Sequence, residues 1–228
     1  MPFPPLVPAT FVARPNRFLV LARIDGRRVR VASRDPGRLQ ELLVPGAELL
    51  VAPTTDPARR TEATLHVVRH AGLWVSVVPV LANRILEAGL RRGGLPGLTR
   101  TRVLAREVTR GHSRFDFLLS RRGTPVLTEV KSVSLVEERR ALFLDAPTKH
   151  GTRHVRELTE ARRGGAATLV VFVVQRHDAA SLSPHRARDP EFASALEAAS
   201  RAGVGLLAYT CRVSPFGCRL DRRIPIVL

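Results

Sequence analysis

The sequence predicts an α/β domain, a mixed sheet flanked by helices, preceded by a small all-β unit that is a barrel or a sandwich. Three observations predict it. Short strand-like runs separated by turn signals fill the first third of the chain. Helix-type and strand-type periodicity then alternate in the order α-β-β-β-α-β-α-β. Residues 167–175 form a continuous run rich in β-branched residues, typical of a strand buried on both faces.

In the first part, residues 17–24, 27–32, 48–52, 63–69 and 73–78 read as strands, with Asp25-Gly26 as the hairpin turn between the first two. Residues 38–43 read as a short helical piece that stops at Pro45-Gly46. The chain then divides into residues 1–80 and 81–228. Residues 81–92 form a helix stopped by Gly93-Gly94 and Pro96. Strands follow at 101–110, 113–120 and 125–135, separated by Gly111-His112 and by a four-residue turn at 121–124. A helix at 148–163 is closed by Gly164-Gly165, a second at 189–202 by Gly203, and 204–209 is the last buried strand.

Composition narrows the function. With 37 Lys+Arg against 20 Asp+Glu, the net charge is +17. A domain this basic fits a polyanionic partner, since each cation placed near a phosphate releases counterions. An arginine-biased composition is the plainer source of the charge: Lys131 and Lys149 are the only lysines. The N-terminal run is apolar but broken by prolines, with no signal-peptide pattern, and no stretch reaches the roughly 20 apolar residues of a bilayer span. The expected location is the cytoplasm, with no membrane partner. Cys211 and Cys218 make neither a disulfide framework nor a zinc site. His150 and His154, four apart on one helix, lack a third ligand and read as surface or capping residues. No phosphate-binding loop or dinucleotide fingerprint is present.

Strand register brings out a candidate site. A two-residue turn at Gly111-His112 pairs Arg110 with Ser113 and puts Glu107 opposite Asp116. The next turn pairs Ser120 with Pro125 and puts Asp116 opposite Glu129. Alternation places Lys131 on the face of Glu129. Like charges in direct cross-strand pairs are destabilising, so three carboxylates in one row call for a cation with oxygen ligands. The spacing therefore predicts a D-(x)n-E-x-K site: Asp116, Glu129 and Glu107 as metal ligands, with Lys131 completing the catalytic set. Mg²⁺ or Mn²⁺ would polarise a phosphoryl oxygen and activate water. Lys131 supplies a compact positive charge that a guanidinium does not readily replace. The plainer reading of the four is an exposed ion-pair strip. The seven arginines between Arg100 and Arg122 suit strand docking. Arg38, Arg106, Arg114 and Arg153 are assigned to nucleic-acid contact.

The run AREVTRGHSRFDFLL followed by TEVKSVSL resembles the sugar fermentation stimulation protein A family, as do LANRILEAGL and GGAATLVVFVVQR. The resemblance implies a PD-(D/E)XK nuclease-like domain behind an OB-like barrel, DNA binding, and regulation of sugar use, maltose metabolism in particular. It maps the first acid to Asp116 and the E-x-K to Glu129 and Lys131. The further acid of that superfamily falls on Glu107 or Glu87, and Gln175 sits in the strand that flanks such sites. The chain departs from the family pattern at Ala32, at Asp35-Pro36, at Arg60 and at Leu144. Three functions are open: a divalent-metal-dependent nuclease, with DNA favoured over RNA; a DNA-binding regulator that does not cleave; or a structural or adaptor protein whose basic surface binds a partner. Oligomeric state is left open, a dimer included.

Overall fold

Alternating Val, Leu and Ala positions with two-residue turns between them build the first unit of this computed structural model, which describes residues 1–143 and 149–228. Its strands are β1 (Val7–Asn16), β2 (Leu19–Ile24), β3 (Arg27–Ala32), β4 (Glu48–Pro53), β5 (Ala63–His70) and β6 (Leu73–Ser76). They run in the order β3-β2-β1-β4-β5-β6, and β3 also pairs with β5, so β1–β5 close into a barrel. One face of each strand fills it: Val20, Ala22, Val29, Val31, Val51 and Leu65 are all buried. Asp25 (φ 48°) and Gly26 (φ 79°) both adopt the left-handed conformation of a type I′ hairpin turn.

Two expectations are corrected in this unit. The first strand begins at Val7, not at residue 17. Pro8 and Pro15 hid it, because proline lacks the N–H that a ladder needs. Pro8 precedes the first β1–β2 pair, Thr10↔Arg23, and Pro15 lies in the irregular step between Ala13↔Leu21 and Asn16↔Leu19. Residues 38–43 form one turn, not a helix: Leu43 N–H donates to the Leu39 carbonyl (2.9 Å), and Leu39 itself has φ 49°.

The second unit contains α1 (Leu81–Arg92), β7 (Thr101–Arg110), β8 (Ser113–Arg121), β9 (Thr124–Val133), β10 (Val136–Glu137), β11 (Arg140–Phe143), α2 (Lys149–Arg163), β12 (Ala167–Val174), β13 (Ser181–Pro184), α3 (Pro190–Arg201), β14 (Gly205–Ser214) and β15 (Gly217–Ile224). The main sheet has the order β15-β14-β12-β9-β8-β7. Its centre, β9-β12-β14, is parallel and its flanks are antiparallel. Phe172, Val170 and Val174 point to the α2 and α3 side; Val171 and Val173 point to the α1 side. This two-faced burial is what the continuous apolar run of β12 encodes. Asp189 caps α3, its carboxylate accepting from Phe192 N–H (2.9 Å).

The register derived from the turns is present: Arg110 pairs with Ser113, and Ser120 with Pro125. The second turn is shorter than expected. Arg121 pairs with Thr124, leaving Arg122 (φ 51°) and Gly123 (φ 89°) as a type I′ turn. The pairing sum is unaffected. The strand at 204–209 is not the last, because β15 follows it at the sheet edge. Its arginines, exposed there, obscure the alternation. The small sheet β10-β11-β13 was not anticipated either. Residue 148, the expected helix start, and Leu144 of the family comparison lie outside the described residues.

Residues 1–3 lie along β15 instead of in the barrel: Phe3 N–H donates to the Phe216 carbonyl (3.0 Å) and Cys218 N–H to Met1 (2.9 Å). A Cβ on Gly217 would sit 2.5 Å from the Met1 carbonyl, so glycine is required there. Gln175, at the end of β12, ties the two units together. Its carbonyl accepts from Ser76 N–H (3.1 Å), and its Nε2 donates to the Val78 carbonyl (3.0 Å) and to Ser132 Oγ (2.7 Å). No described helix is long and apolar enough to cross a membrane.

Candidate metal and nucleic-acid site

The β8–β9 ladder stops at Phe117↔Thr128, one step short of Asp116 and Glu129. Beyond it the Val130 N–H is taken by Asp116 Oδ2 (2.7 Å) instead of a backbone carbonyl. The strands splay here, and β8 turns over. Phe115 and Phe117, two apart, should share a face, yet Phe115 packs on the α2 side and Phe117 on the α1 side. Asp116 sits at this crossover and is reached from both sides of the sheet. From α1, Asn83 Nδ2 donates to its Oδ1 (2.5 Å). From β9 and α2 comes a second cluster, in which Lys131 Nζ (2.6 Å) and His154 Nδ1 (2.7 Å) both donate to Glu129 Oε1.

Glu129 is 5% exposed, and its Oε2 is fully enclosed with no hydrogen-bond partner among the described residues. Burial would raise its carboxyl. The His154 hydrogen bond, and then the charge and hydrogen bond of Lys131, outweigh it and leave Glu129 below its ordinary value. Asp116 moves the other way. Burial first and the Glu129 charge second raise it, against the opposing pull of Val130 N–H, Asn83 and Lys131. Two carboxyls pushed apart in this way, with one enclosed oxygen unsatisfied, are a donor set that a hard cation fits, since Mg²⁺ takes one or two carboxylates and keeps its waters.

Glu107 departs from the expected row. It is opposite Asp116 by count, but its φ of 52° breaks the alternation of β7. Its side chain is 70% exposed and lies 3.6 Å from Arg114. Repulsion within a row of acids is relieved by turning this carboxylate to the rim, where an arginine meets it. Among the described residues no group of three His, Cys, Asp or Glu side chains is placed to hold a metal. Glu87 is also outside the cluster. It is bound by Arg91 (2.7 Å) and by Arg106, whose hydrogen bond is the largest cause of its lowered pKa. Asn83, one helical turn earlier on α1, is the residue that reaches Asp116. Gln175 serves the junction between units, as described above.

Two clefts open onto the cluster. One, of about 440 Å³, is lined by Arg114 and Arg153 together with Asp116, Glu129 and Glu107. The other, of about 610 Å³, runs between the units and is lined by Arg17, Gly37, Asn83, Asp116 and Lys131. Arg38 is exposed beside Gly37 at the edge of that cleft. Arg106 is exposed but engaged by Glu87.

Residues 80–217 match the model of the "Sugar fermentation stimulation protein RE domain", and residues 12–77 match the "SfsA N-terminal OB domain". The chain belongs to the sugar fermentation stimulation protein family. Similar relatives include the "Sugar fermentation stimulation protein homolog" of Moorella thermoacetica, 44% identical over 92% of this chain and 91% of that one. The homolog from Acetivibrio thermocellus is 43% identical over 98% and 97%. The solved structure of Pyrococcus furiosus SfsA in complex with Ca²⁺ is 28% identical and superposes with a TM-score of 0.90, covering 100% of this chain and 98% of that one. The PD-(D/E)XK-like layout of the second unit is consistent with these matches. Within this family member, sequence reasoning missed Asn83 and His154. The HxxxH spacing on α2 was a signal for the histidine, and only the packing against Phe115 (ring centroids 5.6 Å) turns it inward.

Proposed function

We propose that this family member hydrolyses phosphodiester bonds in nucleic acid with a divalent cation, Mg²⁺ or Mn²⁺, DNA being the favoured polymer. The observation that carries it is the buried Glu129 carboxylate, held through Oε1 by Lys131 and His154 and unsatisfied at Oε2, beside Asp116. Asp116 and Glu129 would hold the cation. The Ca²⁺ in the Pyrococcus furiosus relative supports an oxygen-ligand cation in this fold. When bound, such a cation polarises a phosphoryl oxygen and lowers the pKa of a coordinated water. The chain does the rest. Asn83 and the Val130 N–H orient Asp116, and His154 orients Glu129. Lys131 places a point charge where the phosphate becomes more negative. Arg114 and Arg153 are positioned at the rim to hold the flanking backbone.

A second reading, a DNA-binding regulator of sugar metabolism that does not cleave, is favoured by one observation: Glu87 and Glu107 are engaged by arginines, which leaves two carboxylates at the cluster. A nuclease assay titrated with Mg²⁺ and Mn²⁺ on single- and double-stranded DNA and RNA, with Glu129→Ala alongside, decides between them. Metal-dependent cleavage lost in Glu129→Ala supports the enzyme. DNA binding with no cleavage at any metal concentration supports the regulator.

A further inference from the structure

The N-terminus of α1 has a second flank, turned away from Asp116. There a cleft of about 480 Å³ is lined by Arg34, Arg59 and Arg84, with Asp56, His66 and Phe3. The three arginines come from three separate elements: the loop after β3, the loop between β4 and β5, and α1. Arg59 has Asp56 at 3.6 Å. Arg34 and Arg84 are exposed and have no acidic partner among the described residues. His66 is half-buried in the cleft, with Phe3 edge-on to its ring (centroids 5.8 Å). Its Nδ1 is enclosed and without a hydrogen-bond partner among the described residues. Val80, at the N-cap of α1, provides no side-chain cap. The Leu81 and Ala82 N–H groups donate to the Val78 (3.1 Å) and Pro79 (3.0 Å) carbonyls, so the positive charge of the cleft comes from the arginines.

Unpaired guanidinium groups gathered around a concavity repel one another, and a bound anion relieves that repulsion. We propose that this cleft is a phosphate subsite that holds one phosphate of a nucleic-acid strand crossing the N-terminus of α1 from the Asp116–Glu129 cluster. It rests on the nucleic-acid reading above. The phosphate is an internal phosphodiester or a terminal monophosphate, and the chemistry of recognition is the same for both.

Fluorescence anisotropy in EDTA, with no cleavage, measures binding of labelled single-stranded oligonucleotides carrying a 5′-phosphate or a 5′-hydroxyl across a salt series. The proteins are wild type, Arg34→Gln/Arg84→Gln, and Arg28→Gln/Arg219→Gln, which removes the same charge from exposed positions elsewhere. The first double variant is expected to bind roughly ten- to a hundredfold more weakly, as fits the loss of charge-assisted contacts. Its slope of log K against log salt should flatten by about 0.7, one single-strand phosphate contact. A loss confined to the 5′-phosphorylated strand identifies a terminal phosphate; an equal loss on both identifies an internal one. A variant indistinguishable from Arg28→Gln/Arg219→Gln, with wild type still binding, overturns the subsite alone. Wild-type protein that binds neither oligonucleotide overturns the nucleic-acid reading as well.

Discussion

Replacing Asp116 by asparagine should make the protein more stable and less active. The carboxyl is raised, by burial first and by the Glu129 charge second, so its ionised form burdens the folded state. Two like charges ~4 Å apart repel by about 4 kcal/mol at an effective dielectric of ~20. Lys131 Nζ, 2.6 Å from Glu129 Oε1, cancels much of that, and the hydrogen bonds to Asp116 from Val130 (2.7 Å) and Asn83 (2.5 Å) offset more. With the Asn83 amide turned so that its oxygen accepts from the new Nδ2, a net gain of about 1 kcal/mol remains, or about 2–4 °C in Tm for a chain of this size. The sign in pH follows. A raised carboxyl contributes stability below its unfolded pKa and loses it as pH rises through its folded value. Asp116→Asn should therefore outlast wild type at neutral and alkaline pH, and the difference should close as acid protonates Asp116. Differential scanning calorimetry without metal measures this. Adding Mg²⁺ should reverse the order, since ligand at a hundred times its Kd contributes about 2.7 kcal/mol to wild type alone. A variant that melts below wild type at alkaline pH without metal would refute the account of like-charge strain.

Other predictions follow from single contacts. Glu129→Gln leaves Lys131 without its buried counter-charge and should cost roughly 3 kcal/mol in urea unfolding. Because Glu129 is depressed, wild type should lose stability as pH falls through that lowered value, and the variant should lack this acid limb. Lys131→Arg should cleave as poorly as Lys131→Ala, both down about a hundredfold or more, because a fork does not replace a point charge at an 11% exposed position. Gln175→Ala breaks the tie between Val78 and Ser132. It should cost about 1–3 kcal/mol and split one calorimetric transition into two as the barrel uncouples. Phe172→Ala, at a fully buried site against Phe143 (5.4 Å), should lower the urea midpoint by the equivalent of about 3–5 kcal/mol with m unchanged.

Local chemistry carried much of this protein in one dimension. The Gly111-His112 turn set the β7–β8 register, and alternation put Glu129 and Lys131 together on β9, because turn conformation and side-chain period are properties of adjacent residues. The two-faced burial of β12 was legible for the same reason. Other features belong to contacts between distant segments. Asn83 meets Asp116 across 33 positions and His154 meets Glu129 across 25, and nothing local encodes either pair. Glu107 had the right count and the wrong direction, since its φ of 52° breaks the strand alternation and its carboxylate faces Arg114 at the rim. The proline-broken β1 and the arginine-rich β15 became strands because neighbours on the sheet supplied the hydrogen bonds and burial that their own sequences advertise weakly. Sequence alone determined the β7–β8 and β8–β9 hairpin pairings and that Glu129 and Lys131 share a face. Tertiary structure decided which charges are buried together, because the energy of a charge depends on everything packed around it and not on its neighbours along the chain.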